Sequence, residues 1–352
     1  MFYTGFDQVV KKIIELKPDA VVHAGDVFHH VRPGIKPLYV FKQGLEKLRN
    51  AGIPVIIISG NHDAPKGYAG TSPFVIYEAT KDVNIARKYE YERFEVGDHV
   101  FHCIPFCLDP SDYMNEFRNI ERTGRDVLVL HGLIESLSNK KLRTVGEHEL
   151  KDSLLKRDFD YIALGHYHAQ ARVAENAWYS GSIEYFNFGE ALDEKGILLV
   201  DLESGEAEPV CVRPKYMTDC TALDCSGLSS EEIAEELLGL CGDGAIEGKI
   251  VRINLTNVNK AAYRSINQSW LNRLCTSALY LKIKVEYADE KESQTEPMDS
   301  LRLHEEFVRL LEEEATKNAI PKVIREEVMA YGTGLIKKVA TKHNTEVLNA
   351  PE

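Results

Sequence analysis

The sequence predicts an α/β protein, and three observations carry that prediction. Helical and strand-like hydrophobic patterns alternate along its opening stretch. Four apolar, β-forming runs each break off in a glycine beside His, Asp or Asn. Beyond about Arg213-Pro214 the composition shifts to a second, shorter alternation of strands and helices. Alternation of this kind builds layered α/β structures.

The elements follow in order. Phe6, Val9, Val10, Ile13 and Ile14 recur at helical spacing, and Pro18 follows soon after the helix should end. A strand over Asp19–Ala24 runs into Gly25-Asp26, then Val-Phe-His29-His30 and a loop with Pro33, Gly34 and Pro37. Leu38, Phe41, Leu45 and Leu48 mark a second amphipathic helix, closed by Asn50-Ala-Gly52. The run Ile53 to Ile58 reads as a buried strand that ends in Ser-Gly-Asn61-His62-Asp63. Shorter strands are expected between Glu92 and Ile104. Val127 to His131, followed by Gly, and Tyr161 to Gly165, followed by His166-Tyr-His168, repeat the same grammar. Lys140, Lys141 and Arg143 form a small basic loop, and several short strands are expected from Ala169 to Leu202.

The second unit reads strand, helix (Ser229–Cys241, with a Ser-Ser-Glu-Glu start), strand (Lys249–Leu255), helix (Ala261–Thr276) and strand (Tyr280–Glu286). A polar, acidic stretch from Ala288 to Pro297 reads as a linker. Two short amphipathic helices follow, with stripes Phe307/Leu310/Leu311/Ala315 and Val323/Ile324/Val328/Tyr331 about a break at Asn318–Pro321. Helices this short need a surface to dock on, either a partner or their own protein.

Composition narrows the class. With 352 residues, 44% hydrophobic and 28% charged, the chain has material for two or three globular units. No apolar run approaches the roughly 20 residues of a membrane span, and the start lacks a signal peptide's basic and apolar regions. The expected location is intracellular. The seven cysteines have no CxxC pair, which argues for reduced thiols rather than a zinc knuckle or a disulfide framework. A net charge of −13 argues against a nucleic-acid coat protein with a basic face. It leaves a nuclease open, because bound cations offset the carboxylates of such a site.

In open α/β sheets, ligands gather beyond the carboxyl ends of the strands. The four strand ends carry Asp26, Asn61, His131, His166 and His168, a carboxylate, amide and imidazole set suited to Mn²⁺, Fe²⁺ or Zn²⁺. Two such cations about 3.5–4 Å apart can clamp the attacking and leaving oxygens of a displacement at phosphorus. A carboxylate such as Asp26 can bridge them. His62, next to a ligand yet free to face a substrate, suits charge stabilisation or leaving-group protonation, and Asp63 suits orientation of its neighbours. Any one of these ends alone is ordinary turn chemistry; the metal reading rests on all four together. His23, His99, His102, His148, His304 and His343 lack this setting and are taken as bystanders.

Gly-Asp-x-x-His, Gly-Asn-His-Asp, a lone His-Gly and Gly-His-x-His, in this order, resemble the calcineurin-like metallophosphoesterases. Asp26-Val-Phe-His29, Gly60-Asn-His-Asp-Ala-Pro65 and Tyr179-Ser-Gly-Ser-Ile-Glu-Tyr-Phe-Asn-Phe-Gly-Glu190 with Lys195-Gly196 are similar to the SbcD nuclease branch, nuclease subunits of the double-strand-break repair complex. The resemblance is strong through about residue 202 and weaker beyond. It implies a four-layer sandwich, two β-sheets flanked by helices, with a small α+β capping domain and a C-terminal helical tail. The implied domains are a nuclease domain over 1–212, a DNA-capping domain over 213–290, and a linker with ATPase-partner-binding helices over 291–352. Asp26 becomes the bridging ligand, Asn61, His131 and His166 serve one metal, and His168 serves the other. His62 becomes the phosphate-facing catalytic histidine, and His29 a substrate-positioning one. The implied cofactors are two divalent ions, Mn²⁺ foremost. The implied activity is double-strand exonuclease and single-strand endonuclease cleavage of DNA in the cytoplasm, at the nucleoid. The implied partners are DNA, an SbcC-type coiled-coil ATPase and a second copy of the nuclease domain, with no membrane involved.

One departure bears on activity. The family's first strand ends in Asp-x-His, and this sequence contains no Asp-x-His. The resemblance then implies a truncated or late start, an exposed sheet edge, and a second metal left with Asp26 and His168. Two other readings stay open: a small-molecule phosphodiesterase or phosphatase on the same core, and a silent assembly subunit.

Overall fold

The computed structural model describes residues 2–67, 69–137, 149–155, 158–212, 215–242, 244–267, 269–271, 278–288, 307–312, 315, 321–322 and 324–334. The chain divides into two compact units. One comprises Met1–Thr221 with Cys241–Ile253 and Arg273–Lys282; the other comprises Ala222–Leu240, Asn254–Asn272 and Ile283–Glu352.

In the first unit, α1 (Phe2–Leu16) leads into β1 (Val21–His23), α2 (Ile35–Asn50), β2 (Val55–Ile58) and β3 (Val83–Ala86). The three strands form a parallel sheet in the order β1-β2-β3, with His23 opposite Ile57. Next come β4 (Glu92–Val96), β5 (His99–Ile104), α3 (Pro110–Phe117), β6 (Asp126–His131), and the short pair β7 (Leu133–Ile134) and β8 (Glu149–Leu150). β9 (Tyr161–Gly165), β10 (Ala171–Ala174) and β11 (Ala177–Tyr179) complete a six-stranded mixed sheet ordered β10-β11-β9-β6-β5-β4. A hairpin of β12 (Gly196–Val200) and β13 (Ala207–Cys211), then β14 (Met217–Asp219), follow.

Strand parity explains the layering, because successive side chains point to opposite faces. Val55 and Ile57 join the core beneath the helices with Val9, Val10, Ile13, Phe41 and Leu45. Their neighbours Ile56 and Ile58 face the second sheet and meet Phe101, Cys103, Val127 and Val129. In β6 the alternate residues Leu128 and Leu130 turn to the far side, where Tyr113 of α3 lies in the same core. Helices, sheet, sheet and helix form the four layers that the resemblance implies. Continuous apolar runs, rather than alternating ones, are the consequence of strands covered on both faces.

β1 has β2 as its only strand neighbour among the described residues. A cavity of about 350 Å³ is lined by the apolar side of α1, by β1 and by Gly196-Ile197, and it reaches Asp26, His166 and His168.

At the amino end of β6 a buried polar network ties the second sheet together. The Asp126 carboxylate accepts from His102 Nε2 (2.8 Å), Thr123 N and Oγ1, Gly124 N and Arg122 Nε, while Tyr91 Oη lies 2.8 Å from His102 Nδ1. Burial alone would raise Asp126; the bonds from His102, Thr123, Gly124 and Arg122 outweigh it and hold the carboxyl well below the usual range. Burial also lowers His102, against the pull of Asp126. Both shifts are depressions. His102 therefore contributes stability that is fully present above its unfolded value of about 6.5 and fades as pH falls below it, and Asp126 does the same below about 3.9. Asp126→Asn is expected to cost on the order of 3 kcal/mol at pH 7 and to flatten the acid limb of stability. Urea melts between pH 7 and pH 3 measure both, and an unchanged acid limb counts against the network.

The second unit contains β15 (Leu223–Asp224), α4 (Ser230–Cys241, its last residue in the first unit), α5 (Lys260–Ser265) and the later parts of β16 (Ile250–Val258) and β17 (Tyr280–Tyr287). β15 runs parallel to the later part of β16, with Leu223 opposite Leu255. The start of α4 is a capping box. Glu232 N donates to Ser229 Oγ (3.2 Å), and Ser229 N donates to Glu232 Oε2 (2.9 Å). The single helix expected over Ala261–Thr276 is broken instead. α5 stops at Ser265, and Asn267 Oδ1 caps a fresh turn by accepting from Ser269 N and Trp270 N. An Asn side chain competes with the helical backbone for its own N–H groups. In the tail, a Cβ at Gly332 would lie 2.2 Å from the Phe307 ring, so the helical stretches about these residues are in contact. Ile324, Val328 and Tyr331 are exposed there. The basic loop at Lys140, Lys141 and Arg143, the Arg213-Pro214 boundary, nearly all of the acidic linker, Val323, His148, His304 and His343 lie outside the described residues. Cys103, Cys107 and Cys225 are buried free thiols.

Candidate metal centre

The carboxyl ends of β1 and β2 from one sheet, and of β6 and β9 from the other, converge on one point. Glycines make the approach possible. A Cβ on Gly60 would lie 2.1 Å from Asp26 Oδ1 and 2.6 Å from His131 Cε1; one on Gly165 would lie 1.8 Å from the Ala24 carbonyl oxygen. Asp26 (φ 59°) and His166 (φ 95°) sit in the left-handed region that side chains rarely adopt. Backbone strain of this kind persists where the surroundings enforce it, often at functional sites.

Asp26, His131 and His166 bring their ligand atoms within 4.8 Å of one another. Asn61 lies between them, its Oδ1 2.9 Å from His131 Nε2 and 3.1 Å from His166 Nδ1. His131 is fully buried, and its Nδ1 lies 2.7 Å from the Ala24 carbonyl. A carbonyl only accepts, so Nδ1 carries the proton. In the neutral ring the Nε2 lone pair then faces two further acceptors, Asn61 Oδ1 and Asp26 Oδ2 at 3.3 Å. Positive charge at that point, as a proton on Nε2 or a bound cation, relieves the conflict. The donor set therefore fits a divalent metal ion. Burial opposes both charged forms, yet His131 is raised by Asp26, and Asp26 is held well below the carboxylate range by His131 and His62.

Asp63 works from behind. Its fully buried carboxylate accepts from Phe28 N (2.8 Å), Val27 N (3.0 Å) and Gly60 N (3.3 Å), tying the loop after β1 to the loop after β2. Burial and the charge of Asp26 push it up, to about 7, against those three donors. His62 N donates to Asp26 Oδ1 (2.9 Å), which places the His62 ring beside the cluster. His62 Nδ1 lies 2.7 Å from the His29 carbonyl, and the two rings stack at 5.6 Å. Both histidines are exposed. With Nδ1–H given to a carbonyl, Nε2 is the His62 nitrogen left to meet a ligand.

The structure thus brings four of the five expected ligands together. His168 lines the cavity that also reaches Asp26 and His166, but it stands outside the close group; its Nδ1 lies 3.0 Å from Glu190 Oε1. Two features carried no role in the sequence. His23, taken as a bystander, lines the same cavity with a buried Nδ1 that has no hydrogen-bond partner among the described residues, and burial lowers it to about 4. Its place just before Ala24-Gly25-Asp26 was the available signal. Glu190 and Lys195 were legible only as parts of a resembling motif.

A fold of two face-to-face sheets, with a carboxylate–amide–imidazole cluster at their shared carboxyl ends, defines a metal-binding phosphoesterase class. Residues 2–170 match the family described as calcineurin-like phosphoesterase, and this part of the chain is a calcineurin-like phosphoesterase domain. The chain is similar to "DNA double-strand break repair protein Mre11" of Methanocaldococcus jannaschii, 30% identical over 221 residues that cover 58% of this chain and 57% of that protein. The protein of the same name from Thermoplasma acidophilum is 28% identical over 234 residues, covering 61% and 59%. The D subunit of the SbcCD nuclease of Staphylococcus epidermidis is 27% identical over 220 residues, covering 54% and 57%. The chain spans a little over half the length of these relatives. No helix among its described residues is long and apolar enough to cross a membrane.

Proposed function

We propose that the protein is a metal-dependent DNA phosphodiesterase of the double-strand-break repair complex, acting in the cytoplasm at the nucleoid. The single observation that carries the reading is the convergence of Asp26, Asn61, His131 and His166 at the carboxyl ends of four strands, in a calcineurin-like phosphoesterase domain. The repair and nuclease names of the similar proteins supply the substrate class. Asn61, His131 and His166 would hold one divalent ion, Mn²⁺ foremost, with Asp26 shared toward a second whose further ligand is His168. Two such ions, when bound, supply an activated water and charge neutralisation at phosphorus. The chain's own part is positional. Asp63 fixes the loop carrying Asp26, and Asp26 in turn fixes the His62 backbone, so His62 Nε2 meets the phosphate or the departing oxygen while His29 stacks behind it.

Residues 213–290 would cap the DNA. Residues 291–352 would tether helices for a coiled-coil ATPase partner, a role supported by the exposed stripe Ile324, Val328 and Tyr331. The nuclease domain would pair with a second copy. Double-strand exonuclease and single-strand endonuclease cleavage are the activities to test, with Mn²⁺ and end-labelled duplex and single-stranded DNA. Asp26-dependent cleavage, faster than turnover of a nitrophenyl phosphodiester, is the expected result. A preference for the nitrophenyl ester points to a small-molecule phosphodiesterase. The alternative is a silent assembly subunit, in which the tail helices recruit the partner and the metal centre does no chemistry. Metal titration that finds two tight sites removes the silent reading.

A further inference from the structure

The geometry points to Glu190 and Lys195 as the pair that holds His168 in the tautomer and orientation a metal ligand needs. Glu190 ends the 3-10 turn Phe188–Glu190 and is nearly buried, 7% exposed; Lys195 is 6% exposed. Each Glu190 oxygen has two partners. Oε1 lies 3.0 Å from His168 Nδ1 and accepts from Asn187 Nδ2 (2.8 Å); Oε2 accepts from Lys195 Nζ (2.8 Å) and Phe186 N (3.2 Å). Lys195 Nζ also donates to the His168 carbonyl (3.0 Å), to Ser182 Oγ (2.9 Å) and to Asp193 Oδ2 (3.3 Å). The lysine therefore grips the His168 backbone while its charge keeps Glu190 a carboxylate.

The chemical consequence follows from donor arithmetic. A carboxylate only accepts, so the hydrogen bond to His168 Nδ1 requires the proton on that nitrogen. Nε2 is left with the lone pair, the form in which imidazole binds a cation. A carboxylate behind a ligating histidine also raises its basicity and fixes its ring plane. The Phe186 ring, 4.9 Å from the His168 ring, limits rotation from another side. Glu190 and Lys195 are positioning residues: they act on the substrate only through His168.

This inference rests on the reading of His168 as a metal ligand, and the experiment separates the two. Long-range ¹⁵N–¹H correlation on the metal-free, wild-type chain near pH 8, above the histidine range, is expected to show His168 as a single Nδ1–H tautomer. Glu190→Gln keeps the size of the side chain and removes the obligatory acceptor. Mn²⁺ affinity by calorimetry is expected to fall about 10–100-fold, beside a lowered melting midpoint from the lost charge partner of Lys195. A lowered midpoint with unchanged affinity is the mark of a merely structural role and overturns the proposal, as does an Nε2–H tautomer in the wild type. Mn²⁺ binding lost on Asp26→Ala but not on Glu190→Gln overturns the positioning pair alone. Binding indifferent to both substitutions overturns the metal centre beneath it.

Discussion

Replacing Asp26 by alanine is expected to abolish tight metal loading. Asp26 Oδ2 lies 3.3 Å from His131 Nε2, and Oδ1 accepts from His62 N, so the same carboxylate supplies charge to the cluster and anchors the neighbouring loop. Loss of a partner merely hydrogen-bonded to a metal ligand costs 10–100-fold in affinity. Loss of the ligand carrying the site's negative charge should exceed the upper figure. The consequence for stability is direct. At a free Mn²⁺ concentration of about 1,000 times the wild-type Kd, bound metal adds roughly 4 kcal/mol to folding, and the variant should keep less than about 1.4 kcal/mol of it. Calorimetric titration and melting with and without Mn²⁺ report both quantities. Wild-type affinity in Asp26→Ala would remove the metal centre from consideration.

His62→Ala is expected to separate chemistry from metal binding. His62 touches the cluster through its backbone N–H, and alanine keeps that donor, so Asp26 stays anchored. The ring, held through Nδ1 by the His29 carbonyl and stacked on His29, is what disappears. On the nuclease reading, DNA cleavage should fall by ~10²-fold or more, or about 2.7 kcal/mol of transition-state stabilisation. Mn²⁺ affinity should stay close to wild type. Normal cleavage by the variant would show that another group meets the phosphate. A parallel loss of metal affinity would place His62 in the binding set instead.

Much of the site was legible before the fold because strand ends are local. Val21 to Asp26, Ile53 to Asp63, Val127 to His131 and Tyr161 to His168 each announce an apolar run, a stop and a polar group within about ten residues. The capping box at Ser229 and Glu232 is local in the same way. What escaped depends on partners far apart in sequence or on side-chain competition. Asp126 meets His102 across 24 residues, and Glu190 meets His168 across 22. The helix break at Ser265 turned on Asn267 capping a new turn rather than extending the old one. His23 carried the same letters as any core histidine, and its place beside the cavity came from the pairing of β1 with β2.

The sequence by itself determined the α/β class, the four strand ends and the residue types they present. Hydrophobic periodicity and glycine stops act over a few residues, and no distant contact is needed to read them. Only the tertiary structure decided that Asp26, Asn61, His131 and His166 meet while His168 stands apart on Glu190. That outcome depends on two sheets packing face to face through Ile56, Ile58, Val127 and Val129. It depends too on glycines at Gly60 and Gly165 small enough to let the strand ends touch. Close packing sets distances between side chains more than a hundred residues apart, and spacing along the chain does not.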